Sequence, residues 1–194
     1  MAGYRAASAV LVADGQSLNL TPTPYVDTWP IRLCSDLGVV RPVDVWVGGM
    51  GWTHLLPTQQ QRVRPFSDAG LTTVYTLCGG TGDLLAGRTA AQIYADMVTT
   101  AINARGWGYD SVIATTITPY TGFTGPQETV RLAANVLIAD DADTAFDYKV
   151  NLAGTAGINN ASDTNYYSDG LHFTSLGAQT AADAIAPSVE AALA

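Results

Sequence analysis

Residues 8–17 read Ser8-Ala9-Val10-Leu11-Val12-Ala13-Asp14-Gly15-Gln16-Ser17, an apolar run that ends in a polar turn containing glycine. Apolar residues without alternation are typical of a strand that is covered on both faces, as in a parallel sheet. The run is much shorter than the roughly 20 residues of a membrane span. We therefore predict a buried first strand at 8–13, with Ser17 in the turn directly after it.

Downstream, short runs rich in β-branched and aromatic residues alternate with helical patterns. Strands are predicted at 43–47, 71–78, 111–118 and 146–152, and helices at 26–37, 89–105 and 126–139. Gly106 stands where a helix-ending glycine is expected, and a last helix should begin after Thr174 and be kinked or interrupted at Pro187. Strands that alternate with helices predict βαβ units with right-handed crossovers, and therefore a parallel sheet.

Composition excludes several classes of protein. The 194 residues suffice for one domain with a sizeable core, and 47% hydrophobic against 13% charged residues exclude a disordered chain. The net charge of −8 would repel phosphate backbones, so we expect no nucleic-acid partner. Cys34 and Cys78 lie in apolar stretches and are predicted to be buried, reduced thiols, and no Cys/His spacing indicates a metal.

The amino-terminal segment does not have the pattern of a secretion signal. Its apolar part is short, and Asp14-Gly15 follows at once. We expect a soluble single domain over 1–194, without a membrane span. Whether it acts in the cytoplasm or is exported by another route stays open.

Ser17 is the first candidate for a chemical role. A serine directly after a buried strand, in a turn with glycine, is placed like a nucleophile. The pattern is not Gly-x-Ser-x-Gly, because Asn19 stands at the position of the second glycine, so a standard α/β-hydrolase turn is disfavoured. The alternative is that Ser17 only caps a following helix.

The segment Ser168-Asp169-Gly170-Leu171-His172 offers an acid–base pair. Its carboxylate could hold the imidazole Nδ1–H and leave Nε2 to accept the proton of a serine. The alternative is an aspartate-stabilised turn with a histidine near a helix start. The chain has two histidines. His54 has no carboxylate nearby in sequence, so we interpret it as structural or pocket-lining.

Glycine clusters follow the second and third predicted strands, at 48–51 and 79–83. One interpretation is that they form tight turns only. Phosphate binding is disfavoured, because the Walker pattern is absent and no lysine is near. The functional interpretation is that their backbone N–H groups bind an oxyanion.

Together these features resemble the SGNH, or GDSL-type, hydrolases over nearly the whole chain. Gly15-Gln16-Ser17 resembles the Gly-Gln-Ser variant of carbohydrate acetylesterase-like members, and Asp169 and His172 match the family's Asp-x-x-His block. Its Gly-x-x-Gly-x-Thr block is matched by Gly48, Gly51 and Thr53, and its Glu-x-x-Arg-x-x-x-Asn stretch, to which we attach no chemistry, by Glu128, Arg131 and Asn135. The resemblance implies a three-layer α/β/α sandwich with about five parallel strands in flavodoxin-like order.

The resemblance also implies ester hydrolysis by a Ser17–His172–Asp169 triad. The N–H groups of Ser17 and Gly51 would receive the oxyanion, and no cofactor or metal is needed. Expected partners are small acyl esters or acylated carbohydrate, with O-acetyl groups as the main expectation. The alternative is a non-catalytic binding or structural protein that keeps the fold.

One block departs from the family pattern. The third block normally reads Gly-x-Asn-Asp, and its asparagine is an oxyanion donor, but this chain reads Gly80-Thr81-Gly82-Asp83. Alignment on the aspartate puts Gly82 at the asparagine position, and alignment on the glycine pair puts Thr81 there. We expect a substitute donor, either the side chain of Asn19 or Thr81 or the N–H of Gly82.

Aromatic residues fall in the loops that should surround the site. We expect Asn19, Trp52, Thr81 and Tyr120 to line the substrate, with Phe123, Tyr166 and Tyr167 in the rim loops. Their rings could stack on sugar or line an acyl slot, or they could only pin the loops.

Overall fold

The computed structural model describes residues 9–15, 27–38, 40–45, 47, 49–67 and 70–194, and Gln16, Ser17, Asn19 and Gly48 lie outside them. The strands are β1 (Ala9–Gly15), β2 (Val40–Asp44), β3 (Thr72–Cys78), β4 (Ser111–Thr115) and β5 (Tyr148–Val150). The helices are α1 (Trp29–Leu37), α2 (Trp52–Leu55), α3 (Gln59–Arg62), α4 (Thr81–Leu85), α5 (Ala90–Gly106), α6 (Gly125–Asp140) and α7 (Ser175–Leu193). Short 3-10 turns occupy Leu56–Thr58, Arg64–Phe66 and Leu152–Gly154.

The five strands form one parallel sheet in the order β2-β1-β3-β4-β5. This is the flavodoxin-like order, so the predicted α/β architecture is confirmed. β1 lies between β2 and β3, and its last residue, Gly15, is in register with Cys78. Gly15 has φ +132°, and a Cβ there would overlap the Cys78 carbonyl. Only glycine therefore fits at the end of β1.

Two hydrophobic layers cover the sheet. On one face, α1 and α7 pack on alternate strand residues such as Leu11 and Ile113. On the other face, α2, α5 and α6 pack on Val12 and Tyr75. The first layer also contains Cys34 and Cys78, which are buried free thiols. Within the described ranges, no helix has the length and apolar content needed to span a bilayer.

The second strand begins earlier than predicted. It covers Val40–Asp44 rather than 43–47, although the amides of Val45 and Val47 still donate to the carbonyls of Ala13 and Gly15. The strand contains Pro42, which has no N–H to donate to a neighbouring strand. β2 is an edge strand, however, where a proline need not break a ladder of hydrogen bonds on both sides.

Two helix ends also differ from the prediction. Gly106 is the last residue of α5 and Trp107 is its C-cap, and Gly108 instead has the positive φ, +98°, that is common just beyond a helix. α7 begins after Thr174, whose side chain caps it as predicted, but the helix continues through Pro187. The proline lies on the exposed side of α7, so water can hydrate the carbonyl that it leaves unpaired.

Candidate active site

The carboxyl ends of the parallel strands bring several loops to one edge of the sheet. Residues 49–51 follow β2, 79–80 follow β3, 116–124 follow β4, and 151–174 follow β5. In open parallel sheets ligands bind at this edge. The candidate glycines and the Asp-x-x-His segment therefore lie on loops or helix starts that share this edge, and Ser17 follows β1 outside the described residues.

Asp169 and His172 form the pair that the sequence predicts. His172 Nδ1 lies 2.6 Å from Asp169 Oδ2, while Asp169 Oδ1 accepts the amides of His172 at 2.8 Å and Leu171 at 3.0 Å. Burial disfavours the charged carboxylate, but these hydrogen bonds and the His172 charge outweigh it and hold the pKa of Asp169 below its usual value. A carboxylate on Nδ1 favours the tautomer in which Nε2 is the acceptor, which is the arrangement that a general base requires.

A neighbouring loop fixes the turn between these two residues. Gly170 has φ +81°, and a Cβ there would overlap the Thr121 hydroxyl. Thr121 also donates its amide to the Gly170 carbonyl at 3.2 Å, and Ser168 donates its amide to the His172 carbonyl at 2.8 Å. The loop after β4 thus braces the acid–base pair directly.

Gly51 and Gly82 approach each other closely. A Cβ on Gly82 would come within 2.6 Å of the Gly51 nitrogen and 2.8 Å of the Met50 carbonyl oxygen. No side chain fits at position 82 without moving the 50–51 peptide. Packing therefore excludes an asparagine at this position. The candidates that we expect for a substitute oxyanion donor stay Thr81, Asn19 and the Gly82 N–H.

Asp83 holds the segment that follows Gly51, a contact that the sequence analysis missed. Its Oδ2 accepts the Trp52 amide at 2.7 Å and its Oδ1 accepts the Thr53 amide at 3.3 Å. Asp83 is fully buried, and a Cβ on Gly51 would lie 2.5 Å from its Cγ. The Gly-Asp pair of the third block was the available signal, but it did not reveal which amides the carboxylate would bind.

A buried network fixes the end of β1, two residues before Ser17 in the sequence, and it too was not predicted. Asp14 Oδ1 accepts Arg62 Nη1 at 2.7 Å, and its Oδ2 accepts the Tyr75 hydroxyl at 2.6 Å. Burial and the adjacent Asp14 charge raise the pKa of Tyr75 well above its usual value, so Tyr75 stays a neutral donor. Arg62 also donates to the carbonyls of Val45 and Leu55, which ties α2 to β1 and to the end of β2.

The Glu128, Arg131 and Asn135 stretch has a structural role on α6. Asn135 Oδ1 accepts the Ile117 amide at 2.7 Å, and its Nδ2 donates to the Ile117 carbonyl at 3.0 Å. The buried Arg131 donates to the same carbonyl at 2.8 Å and forms a bidentate pair with Glu128. A Cβ on Gly80 would lie 2.5 Å from the Ile117 side chain. The stretch thus anchors the loop after β4, beside the third block.

Two of the aromatic residues that we expected at the substrate are buried. Trp52 is 0% exposed and packs in the layer with α2, α5 and α6, so its ring contributes to the core in this structure. Tyr167 is 1% exposed and donates its hydroxyl to the Ile158 carbonyl at 2.6 Å. Both rings are part of the core: Trp52, at the start of α2, packs in one layer, and Tyr167 packs in the other.

The remaining candidates differ in exposure. Tyr120 is half-buried and packs edge-to-face on Phe123, and Tyr166 is half-buried over Gly157. Thr81 is buried at the first position of α4. His54 is exposed at the end of α2, which excludes a core role for its ring. Across the described part of the chain, no cluster of three or more His, Cys, Asp or Glu side chains could hold a metal ion.

Comparison with known proteins identifies the fold. No family model matches the chain, and no curated protein sequence matches it significantly. Among solved structures, a member of the lipolytic G-D-S-L family from Veillonella parvula superposes with a TM-score of 0.77 at 17% identity, over 91% of this chain and 96% of that chain.

Two further structures agree. A GDSL-like lipase from Bacteroides thetaiotaomicron gives a TM-score of 0.73 at 20% identity, over 94% and 88% of the two chains. The acetyl xylan esterase AlAXEase gives 0.69 at 14% identity, over 93% and 98%. The chain therefore has the fold of the GDSL-type hydrolases.

Proposed function

We propose that this protein is a serine esterase that hydrolyses short acyl esters with Ser17, His172 and Asp169. The observation that carries the proposal is the 2.6 Å contact between His172 Nδ1 and Asp169 Oδ2 at the carboxyl edge of the sheet. A histidine held in this way is a general base, and it needs a nucleophile on a neighbouring loop. Ser17, two residues beyond the last residue of β1 in the sequence, is the residue that we assign to this role.

The reaction follows from these assignments. Ser17 Oγ attacks the acyl carbon while His172 Nε2 takes its proton, and a tetrahedral oxyanion forms. When this intermediate collapses, the bond to the alkoxide breaks and His172 returns the proton to the leaving alcohol. Water then attacks the acyl-enzyme by the same route and releases the carboxylic acid and free Ser17. Asp169 stabilises the imidazolium in both halves.

The oxyanion needs hydrogen-bond donors that are in place before the reaction. We assign the N–H groups of Ser17 and Gly51 to this role. The third donor is the N–H of Gly82 or the side chain of Thr81 or Asn19. The close approach of Gly82 to the Met50–Gly51 peptide supports an arrangement built on backbone N–H groups, because it leaves no space for a side chain at position 82.

The proposed substrates are O-acetyl and other short acyl esters, including those on carbohydrate. Half-buried Tyr120, Phe123 and Tyr166 stand on loops at this edge and could contact a sugar ring. The fold shared with an acetyl xylan esterase supports the same class of ester. Acetate release from acetylated xylan, compared with hydrolysis of p-nitrophenyl acetate and p-nitrophenyl palmitate, would rank the substrates. We expect the two acetates to be preferred.

Labelling with a fluorophosphonate tests the nucleophile. The wild type should be labelled at Ser17, and Ser17→Ala should lose labelling and about 10⁴-fold or more of kcat, because triad members act as a unit. Ser162→Ala is the matched control, since Ser162 is exposed on the loop before Asp169. Absence of labelling in the folded wild type would instead favour a non-catalytic binding protein with this fold.

A further inference from the structure

We propose that Asp83 is the positioning residue for the oxyanion donor Gly51, a role that rests on the proposed esterase function. The Asp83 carboxylate binds the two residues that follow Gly51. Its Oδ2 accepts the Trp52 amide at 2.7 Å, and its Oδ1 accepts the Thr53 amide at 3.3 Å. The carboxylate comes from α4 and the amides from α2, so the contact joins the loop after β2 to the loop after β3.

The packing around Gly51 allows little movement. A Cβ on Gly51 would lie 2.5 Å from Asp83 Cγ and 2.6 Å from the Asp83 nitrogen, and a Cβ on Gly82 would lie 2.6 Å from the Gly51 nitrogen. The Met50–Gly51 peptide is therefore held between Gly82 and the Asp83 side chain. Its N–H direction depends on where Asp83 holds the next two residues.

The chemistry of the contact requires a carboxylate. Two N–H groups converge on this side chain, and an asparagine would offer only one acceptor oxygen while its NH₂ group faced the other donor. Burial raises the pKa of Asp83, against the opposing effect of the Trp52 and Thr53 amides and of Arg88. Arg88 Nε lies 3.9 Å from Oδ1 and also pairs with Asp96. The contacts that offset the burial of this carboxyl are therefore the two α2 amides and Arg88.

Asp83 does not touch the substrate in this assignment and acts through Gly51. Because the oxyanion develops only in the transition state, misplacing its donor should lower kcat and leave KM nearly unchanged. A general loss of structure would have no such selectivity.

Asp83→Asn tests the proposal, with Asp96→Asn as the matched control. Asp96, on α5, also pairs with Arg88. Each variant would be assayed on an activated aryl acetate and on the corresponding thionoester, whose sulfur is a weak hydrogen-bond acceptor. We expect Asp83→Asn to lower kcat for the oxygen ester about 10²–10³-fold, the usual effect of losing one oxyanion donor. The thionoester should lose much less, and Asp96→Asn should leave both rates unchanged.

Hydrogen exchange provides a readout independent of activity. Asp83→Asn should speed exchange at residues 51–55 and leave the sheet unchanged. Equal losses on both substrates, or an unchanged ester rate, would overturn the proposal. Failure of the esterase function itself appears earlier and separately, as a wild type that neither hydrolyses the ester nor labels at Ser17.

If Asp83→Asn does not fold, the pH dependence of the two rates in the wild type tests the proposal instead. Any loss of activity that affects both substrates equally cancels in the ratio of ester to thionoester. Protonation of Asp83 removes an acceptor of the α2 amides and should lower that ratio as the pH falls. The charged groups that face Asp83 are Arg88 and Asp96, and Asp96→Asn measures the contribution of Asp96. A ratio that stays constant down to about pH 4, near the ordinary pKa of an aspartate, would overturn the proposal.

Discussion

His172 and His54 have different surroundings although both lie on segments that follow the carboxyl ends of strands. The ring of His172 is held by Asp169 at 2.6 Å, whereas His54 is exposed at the end of α2. We expect His172→Ala to lose about 10⁴-fold or more of kcat/KM on a short acyl ester, since it removes a member of the triad. His54→Ala should keep wild-type activity. An inactive His54→Ala alongside an active His172→Ala would show that the base is misassigned.

Gly170 is the residue on which the geometry of the acid–base turn depends most. Gly170→Ala adds both the strain of a positive φ and an overlap with the Thr121 hydroxyl. We expect a loss of about 1–3 kcal/mol in the free energy of unfolding and a lower kcat/KM, as the turn shifts His172. Urea unfolding and ester hydrolysis measure the two effects.

Gly108→Ala is the control for that substitution. Gly108 has φ +98°, and a Cβ there would meet nothing within 4 Å. Its replacement therefore adds backbone strain without a clash, and Gly108 precedes β4, at the opposite edge of the sheet from the site. Wild-type kcat/KM in Gly108→Ala and a loss in Gly170→Ala would assign the effect to the Thr121 contact. Equal losses would contradict that assignment.

At the scale of elements, α6 stabilises the loop after β4 through Asn135. This side chain satisfies both the amide and the carbonyl of Ile117, and Arg131 shares only the carbonyl. Asn135→Ala should cost about 1–3 kcal/mol, because it leaves the Ile117 amide without its partner. Thr129→Ala, on the exposed side of the same helix, should cost much less. Similar urea midpoints for the two variants would argue against an anchoring role for Asn135.

The elements also explain why only part of the site follows from the sequence. Asp169 and His172 are three positions apart, so their contact is local and the motif predicts it. The contact of Asp83 with the Trp52 amide spans 31 positions, and those of Asp14 with Arg62 and Tyr75 span 48 and 61. Such contacts depend on which loops the sheet order brings together, which no short motif specifies.

At the scale of the whole molecule, the alternation of strands and helices sufficed to predict the parallel sheet, because few folds accommodate it. Which side chains of the connecting segments are buried in the core was not predictable in the same way. Trp52 stands in a polar, glycine-rich segment, yet it is fully buried against the layer that contains α5. The burial of a side chain in such a segment is decided by the packing of distant elements, so the Trp52 ring could not be assigned to core or substrate from its sequence neighbours alone.

The reactivity of the two cysteines is a probe of global unfolding, because both lie in the core layer between the sheet and the helices α1 and α7. Burial raises the pKa of Cys34 to about 12 and that of Cys78 to about 11, so neither is a reactive thiolate in the folded protein near pH 8. Unfolding returns both thiols to a pKa near 9. The unfolded state then releases these protons first, and the contribution of the thiols to stability is lost as the pH rises above that value.

We expect the native protein at pH 8 to react very slowly with a disulfide reagent such as dithiobis(nitrobenzoic acid), and both thiols to react at once in guanidinium chloride. Because Cys34 on α1 and Cys78 on β3 share one core layer, exposing either requires the same opening. Their labelling rates should therefore increase in parallel with urea, with the slope of global unfolding. Mass spectrometry of labelled peptides measures the two rates separately. Rapid labelling of one cysteine in the native state, or a mass that lacks the two thiol hydrogens before reduction, would contradict the assignment of two buried, reduced thiols.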